Sequence, residues 1–320
     1  VGKHEGEMSF EAFDGLISQM VAEYDSDGTL DHKPLLSGFQ QAEETTLSFP
    51  GKVLADGFGN RLFIADTNHN RIVVTELDGS VKHVIGSGEE GLADGELAKS
   101  AFNHPQGMAL DSETLYVADT ENHAIRRVDL SSGTVSTIAG TGEQGHTKEE
   151  RGHGPSMALV SPFDLVHQEG TLYIAMAGIH QLWSMDLKDG MIGPFAGTGG
   201  EAITDGPLGT AELAQPCGIT TDGTKLFFAD SETSSVRSAD IDPEGNVRTI
   251  VGLDLFVFGD VDGSDHRVRL QHPIGITHYD GVLYITDTYN HKVKRVLPAM
   301  RSAFTVLGNG AAGHVDGAAE

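Results

Sequence analysis

The chain of 320 residues has one cysteine, Cys217, so no internal disulfide can form. No Cys-x-x-Cys pair exists for zinc or thiol–disulfide exchange. Basic side chains are few, 21 Lys and Arg against 47 Asp and Glu, for a net charge of −26. No run of Lys and Arg interrupts that balance, so a phosphate backbone or an anionic lipid surface would be repelled. There is no apolar run of membrane-spanning length and no secretory leader pattern. Nucleic acid and membrane are therefore not expected as partners. A soluble protein is expected, with the cytoplasm as the favoured compartment. No Gly-x-Ser-x-Gly elbow and no His-x-x-x-His pair appear, so no catalytic residue is nominated. Glycine, in contrast, is abundant at 41 residues without a three-residue period. That points to many tight turns between many short strands.

The strands repeat. Leu62-Phe63-Ile64-Ala65-Asp66, Leu115-Tyr116-Val117-Ala118-Asp119, Leu172-Tyr173-Ile174-Ala175-Met176, Leu226-Phe227-Phe228-Ala229-Asp230 and Leu283-Tyr284-Ile285-Thr286-Asp287 are five versions of one pattern. Their last positions lie 53, 57, 54 and 57 residues apart. A proline precedes each, at Pro50, Pro105, Pro162, Pro216 and Pro273, spaced 55, 57, 54 and 57. Two independent markers keep one period. Each repeat reads as four strands; in the second these are Gly107–Leu110, Leu115–Ala118, Ile125–Leu130 and Thr134–Ala139, parted by turn formers. Four antiparallel strands repeated around an axis make the blades of a β-propeller. Cys217 falls on a first strand and reads as a buried, inert thiol.

The turn after each second strand is the most distinctive segment. It runs Ala118-Asp119-Thr120-Glu121-Asn122-His123-Ala124-Ile125-Arg126 in the second repeat and Thr286-Asp287-Thr288-Tyr289-Asn290-His291-Lys292-Val293-Lys294 in the fifth. The first repeat has Ala65-Asp66-Thr67-Asn68-His69-Asn70-Arg71-Ile72. The third has Met176 for the aspartate and the fourth Ser234 for the histidine. The pattern resembles the NHL repeat. With Phe49-Pro50-Gly51-Lys52-Val53-Leu54-Ala55-Asp56 and the Gly-rich connectors, it is similar to proteins that join a thioredoxin-like domain to an NHL propeller. The resemblance covers residues 49 to about 317 and implies an all-β propeller, six-bladed in that family, with five repeats visible here. The thioredoxin body and its cysteines are absent, and Asp316-Gly317 stands where a sixth repeat should begin. The expected organisation is a helical segment over 1–31, which is either the tail of such a thioredoxin-like domain or packs on the propeller, a linker over 32–48, and the propeller over 49–320. The blades are expected in six-fold-like geometry with a gap or an incomplete blade beside the first, because the sixth repeat is missing.

Residues 9–24 place Phe10, Phe13, Leu16, Ile17, Met20, Val21 and Tyr24 on one helical stripe, with Ser9 as a cap. The following Asp25-Ser26-Asp27-Gly28-Thr29-Leu30-Asp31 imitates a calcium loop. With Gly28 at position six, position twelve is Pro34 rather than glutamate, so a helix stop is expected. Gly-x-Gly-x-x-Gly occurs three times, from Gly86, Gly140 and Gly308, never opening an amphipathic helix. These are connectors between blades rather than dinucleotide sites. Asp94-Gly95, Asp205-Gly206, Asp262-Gly263 and Asp316-Gly317 mark tight turns within those connectors.

In an antiparallel blade, the turn entering the first strand and the turn joining strands two and three share one face. That rim collects Asp66, Asp119, Asp230 and Asp287 with His69, His123, His180 and His291. His104 and His272, each ahead of a proline, complete the binding-rim candidates. Carboxylate and imidazole near an axis can hold zinc or calcium. An aspartate followed by threonine and asparagine also suits an Asx turn, and its recurrence in nearly every repeat suits a folding requirement. On that reading the carboxylates point into their own turns, and Gly178 replaces one in the third repeat. No cofactor is nominated. Two functions follow: a non-catalytic scaffold that binds a protein or peptide on one propeller face, or a propeller enzyme, a lyase or hydrolase, with a metal ion in the central channel. The sequence favours the first.

Overall fold

A computed structural model describes residues 10–32, 45–148 and 150–313. The chain divides into two compact units, Val1–Leu47 and Ser48–Glu320.

In the first unit, Phe10–Ser26 is an α-helix. Ser9, the expected cap, lies outside the described residues. The side chains of Phe10, Phe13, Leu16, Ile17, Met20, Val21 and Tyr24 are all exposed. The helix stops as expected. Gly28 takes a φ of +74°, and the Thr29 and Leu30 N–H groups both donate to the Tyr24 carbonyl. Asp27 accepts from the backbone and hydroxyl of Thr29, and Asp25 pairs with His32 at 2.6 Å. Asp25 and Asp27 of the calcium-like segment are therefore already paired, Asp27 within its own turn. Pro34 lies outside the described residues.

The second unit is a propeller of five blades. Blade 1 is a four-stranded antiparallel meander, Lys52–Asp56, Arg61–Asp66, Arg71–Glu76 and Val81–Ile85. The inner strands of blades 2 to 5 are Pro105–Asp111, Pro162–Gln168, Pro216–Thr221 and Pro273–Tyr279. Each of these four blades repeats the meander and gains a fifth strand of two residues on its outer edge: Gly95–Glu96, Gly152–His153, Gly206–Pro207 and Gly263–Ser264. Those short strands come from the connectors. Three of the Asp-Gly pairs read as plain turns, Asp94-Gly95, Asp205-Gly206 and Asp262-Gly263, thus carry the chain into pairing with the fourth strand, Gly95 opposite Val135 for example; Asp316-Gly317 lies outside the described residues.

Inner strands pack side by side in chain order. Apolar clusters fill the spaces between blades 1 and 2, 2 and 3, 3 and 4, and 4 and 5. No cluster joins blade 5 to blade 1 among the described residues, and their inner strands do not pack as the others do. Among the described residues the ring is open there. Tyr284 of blade 5 is 37% exposed, whereas its counterparts Tyr116, Tyr173 and Phe227 are 6%, 8% and 4%. Val53, on the inner strand of blade 1, is exposed too. Cys217 is buried on the inner strand of blade 4, and burial pushes its thiol up to about 12. No helix among the described residues is long and apolar enough to cross a membrane.

Candidate functional site: the turn rim and the axis

The turn after the second strand is a short 3-10 helix in four blades: Thr67–His69, Thr120–Asn122, Ala177–Ile179 and Thr288–Asn290. The aspartate that precedes it in three of these blades does not cap it. That corrects the expectation that the carboxylates serve mainly their own turns. Asp119 is fully buried. One oxygen accepts the Asn103 N–H, sixteen residues earlier at the blade entry, at 2.7 Å. The other accepts from Asn122 Nδ2 at 2.8 Å and Arg126 Nη1 at 2.7 Å. Asp230 repeats this with the Ala214 N–H and Arg237, and Asp287 with the Gln271 N–H, Asn290 and Lys294. Asp66 takes the Ser48 N–H, His69 and Arg71.

The carboxylate thus fastens the blade entry to the third strand. Arg126, also fully buried, extends the tie outward to the Ala101 and Ala93 carbonyls and to Asp94 at 3.0 Å. Asp94 in turn accepts from the Thr137 N–H and hydroxyl. Arg237 does the same with Glu212, Thr204 and Asp205, and Asp205 with Thr249. Desolvation sets the protonation of these groups. Burial pushes Asp119 up to about 6 against the pull of Arg126. It also raises Asp230 and Asp287. At Asp66 burial pushes upward as well, but the Ser48 N–H, Arg71 and His69 outweigh it and hold the carboxyl below its ordinary value.

The residue closing each turn has a second task. Asn70, His123, His180, Ser234 and His291 all have left-handed φ values between +46° and +55°. So do the residues before the prolines, Phe49, His104, Ser161, Gln215 and His272, between +45° and +60°. The first set accepts the backbone N–H of the second set in the next blade. Asn70 takes His104, His123 Nδ1 takes Ser161 at 3.0 Å, His180 Nδ1 takes Gln215 at 2.9 Å, and Ser234 takes His272. Beside this bond, Thr67, Thr120 and Ser231 donate their hydroxyls to the carbonyls of Pro105, Pro162 and Pro273. The most recognisable residues of the repeat are therefore inter-blade fasteners. The fifth set, His291 and Thr288, has no following blade entry among the described residues, and Thr288 instead reaches the Thr286 carbonyl at 3.3 Å.

Of the ten rim candidates, the four aspartates and His180 are buried. His69, His104, His123 and His272 are half-buried, and His291 is exposed. His104 Nδ1 pairs with Asn103, and His272 stacks on Tyr289 with ring centres 4.5 Å apart. Among the described residues, no three His, Cys, Asp or Glu side chains come together as metal ligands.

Two further residues carry the axis. Position two after the proline is glycine in blades 2, 4 and 5, namely Gly107, Gly218 and Gly275, but Lys52 in blade 1 and Asp164 in blade 3. These two form an ion pair with N···O of 2.5 Å, joining blades that are not neighbours. Asp164 also accepts the Ile219 N–H of blade 4 at 3.0 Å. A Cβ on Gly107 would sit 2.3 Å from the Asp164 Cα, and one on Gly218 2.3 Å from the Ile274 carbonyl oxygen. Glycine is needed because backbones approach this closely. The break in the glycine pattern was the signal in the sequence for this pair. Its carboxylate is already neutralised by an ammonium and a backbone N–H, so its donor set is a poor one for a metal cation.

Known proteins agree with this architecture. The NHL repeat family profile matches residues 102–128. The chain is 43% identical over 303 residues to NHL repeat-containing protein 2 of Gallus gallus, spanning 85% of this chain and 41% of that protein. It is 41% identical over 296 residues to NHL repeat-containing protein 2 of Homo sapiens, spanning 82% and 40%. It is 40% identical over 332 residues to the protein SUPPRESSOR OF QUENCHING 1, chloroplastic, of Arabidopsis thaliana, spanning 98% and 31%. The chain thus spans less than half the length of these relatives. Among solved structures, an auxiliary nutrient binding protein from Bacteroides ovatus aligns with a TM-score of 0.55 at 17% identity, over 82% of this chain and 60% of that one. A protein of unknown function from Bacteroides thetaiotaomicron aligns at 0.56 and 19%, over 74% and 56%. At such identities the likeness concerns the fold alone. The chain belongs to the NHL-repeat β-propellers.

Proposed function

We propose that the propeller is a non-catalytic scaffold. It binds a protein or peptide on the face that carries the blade entries, the three-residue turns and the connectors. The observation that supports this reading is where the reactive groups are spent. Asp119, Asp230 and Asp287 are sealed inside their blades, and His123 and His180 hold the next blade in place. What remains on that face is a half-buried and exposed surface of backbone turns, imidazole edges and aromatic side chains, which suits contact better than turnover. We propose further that the propeller works beside a thioredoxin-like domain. The compartment we propose is the cytoplasm, where a lone buried thiol such as Cys217 needs no partner.

Hydrogen exchange on the protein with a cross-linked, identified partner tests the binding face. Protection is expected over the turns at 67–69, 120–122 and 288–290 and over the connectors. Protection confined to the opposite hairpin tips, near Asp111 and Gly170, would overturn it. A stoichiometric metal in the purified protein, with hydrolytic or lyase turnover, would overturn the non-catalytic reading.

A further inference from the structure

The connector entering blade 5 departs from the others. Those entering blades 2, 3 and 4 begin Gly86-Ser87-Gly88-Glu89-Glu90-Gly91, Gly140-Thr141-Gly142-Glu143-Gln144-Gly145 and Gly197-Thr198-Gly199-Gly200-Glu201-Ala202. The one entering blade 5 runs Gly252-Leu253-Asp254-Leu255-Phe256-Val257-Phe258-Gly259. The Gly91 and Gly259 carbonyls are structurally equivalent, because Asn122 and Asn290 each donate Nδ2 to one of them at 2.7 Å. Measured to that point the blade 5 connector is two residues longer, and it replaces polar residues with apolar ones.

The extra length forms a finger whose base is fixed. Gly252 has a φ of +112°, and a Cβ there would meet Ser235 at 2.3 Å. The Gly259 N–H donates to the Leu270 carbonyl, and Val261 and Arg269 exchange two backbone bonds. Within the finger, the Val257 N–H closes a turn on the Asp254 carbonyl, and Asp254 Oδ1 accepts the Leu255 N–H. Phe256 is 86% exposed and Phe258 53%, with Leu253 and Val261 also exposed. None of them joins the cluster between blades 4 and 5. The adjoining turn, tied in through Asn290 and Gly259, presents Tyr289 at 58% exposure, stacked on His272. An exposed phenylalanine contributes nothing to folding by burial, and grouped exposed apolar side chains mark interaction surfaces. The base being held by hydrogen bonds, little entropy is lost when the tip is covered.

Charge says what covers it. Asp254 stands exposed within the finger, Asp262 and Glu232 flank its base and the adjoining turn, and the chain as a whole carries −26. The cations nearby are engaged: Lys292 and Lys294 by Asp260 and Asp262, and Arg269, at the base of the finger, by the His266 and Val268 carbonyls. We propose that Leu253, Phe256, Phe258 and Tyr289 form the docking site for a protein segment that presents apolar side chains flanked by Lys or Arg. This rests on the scaffold reading above and names the sector and the partner chemistry.

The test uses fluorescence anisotropy with a labelled amphipathic peptide of alternating Lys and Leu. Saturable binding to the full chain is expected at about 150 mM salt, where surface electrostatics are largely screened. Phe256→Ser with Phe258→Ser leaves the net charge unchanged and should weaken binding at least ten-fold, with the thermal midpoint unmoved. Phe58→Ser removes a still more exposed ring from the hairpin of blade 1, outside this sector, and should change nothing. A peptide with Glu for every Lys should bind at least ten-fold more weakly than the Lys peptide. Equal binding by the double variant, or no binding at all, would overturn the docking site. So would concentration-dependent self-association in sedimentation that the double variant abolishes, since the finger would then dock a second copy. Should an identified partner still protect the turn face while the double variant binds it unchanged, the docking site falls and the scaffold reading stands.

Discussion

Blades 2 and 3 solve one packing problem with opposite chemistry. Blade 2 buries Asp119, Asn122 and Arg126 as a hydrogen-bonded ionic group, with Arg126 lying over the Phe102 ring at 5.0 Å. At the equivalent positions blade 3 buries Met176, Ile179 and Trp183. Its one polar remnant is Gln181, which accepts from the Trp183 indole at 2.9 Å and donates to the Lys148 and Gly197 carbonyls. Both arrangements fill the space between the second and third strands and the connector. A buried ion pair and a well-packed apolar set of similar volume are often close in free energy, because desolvation consumes most of the Coulombic gain. Either is stable when complete; half of either is not.

That contrast is open to attack at several points. Asp119→Ala leaves Arg126 buried without its carboxylate and the Asn103 N–H without an acceptor. It should cost about 3–5 kcal/mol, the range for removing one member of a buried pair, read from the urea midpoint at constant slope. Trp183→Ala in blade 3 should cost about as much, 3–5 kcal/mol, through the cavity it leaves. If both losses are near 1 kcal/mol, neither blade depends on its filling. Transplanting the blade 3 set as Asp119→Met, Asn122→Ile, Ala124→Gln and Arg126→Trp should recover most of the Asp119→Ala loss, to within about 1.5 kcal/mol of the parent. A transplant no better than the single change would show that the two solutions are not interchangeable.

Acidity separates the blades next. Folded Asp119 titrates at about 6 and an unperturbed aspartate at 3.8. Between those values the folded chain holds a proton that the unfolded chain has released. This group therefore adds stability as pH falls from about 7 toward 4. Met176 has no counterpart to it. Comparing urea midpoints at pH 7 and pH 5, the parent should gain relative to Asp119→Asn; an equal change in both would remove Asp119 from the account. The smallest effects concern the seam. Thr120→Val loses the bond to the Pro162 carbonyl and should cost about 1 kcal/mol. Blade 3 has Ala177 there, so Ala177→Thr should add about 0.5–1 kcal/mol by supplying the missing hydroxyl, measured by thermal unfolding.

The same contrast explains what could be read in advance. The period, the prolines and the strand pattern are local signals, so five repeats and their inner strands were legible. The aspartate stood out because it recurs, but its partners did not. The Asn103 N–H is backbone and carries no sequence signature. Arg126, Arg237 and Lys294 read as ordinary strand-three cations, since a buried cation looks like an exposed one in a sequence. In blade 3 the absence of the aspartate was visible at Met176, yet the compensation lay seven residues on at Trp183 rather than at Gly178. The two-residue outer strands were missed because Asp-Gly is equally a turn signal. Lys52 and Asp164 were visible only as departures from the glycine found at Gly107, Gly218 and Gly275, and nothing in one chain says that two such departures meet across an axis.

The open side of the ring has a mechanical consequence. A closed ring of blades has no ends, so losing one blade breaks two seams at once. Among the described residues, blade 2, 3 or 4 breaks two seams when it leaves, but blade 1 and blade 5 each break one. Linear arrays governed by nearest-neighbour coupling lose their ends first. Blade 1 departs from that rule in one respect. Lys52 reaches past blade 2 to Asp164 of blade 3, a tether that skips a link in the array. Blade 5 has no such tether to blade 3 among the described residues. Among the described residues fraying is thus biased in direction: the array peels from blade 5, and the finger and Tyr289 ride on the blade that peels.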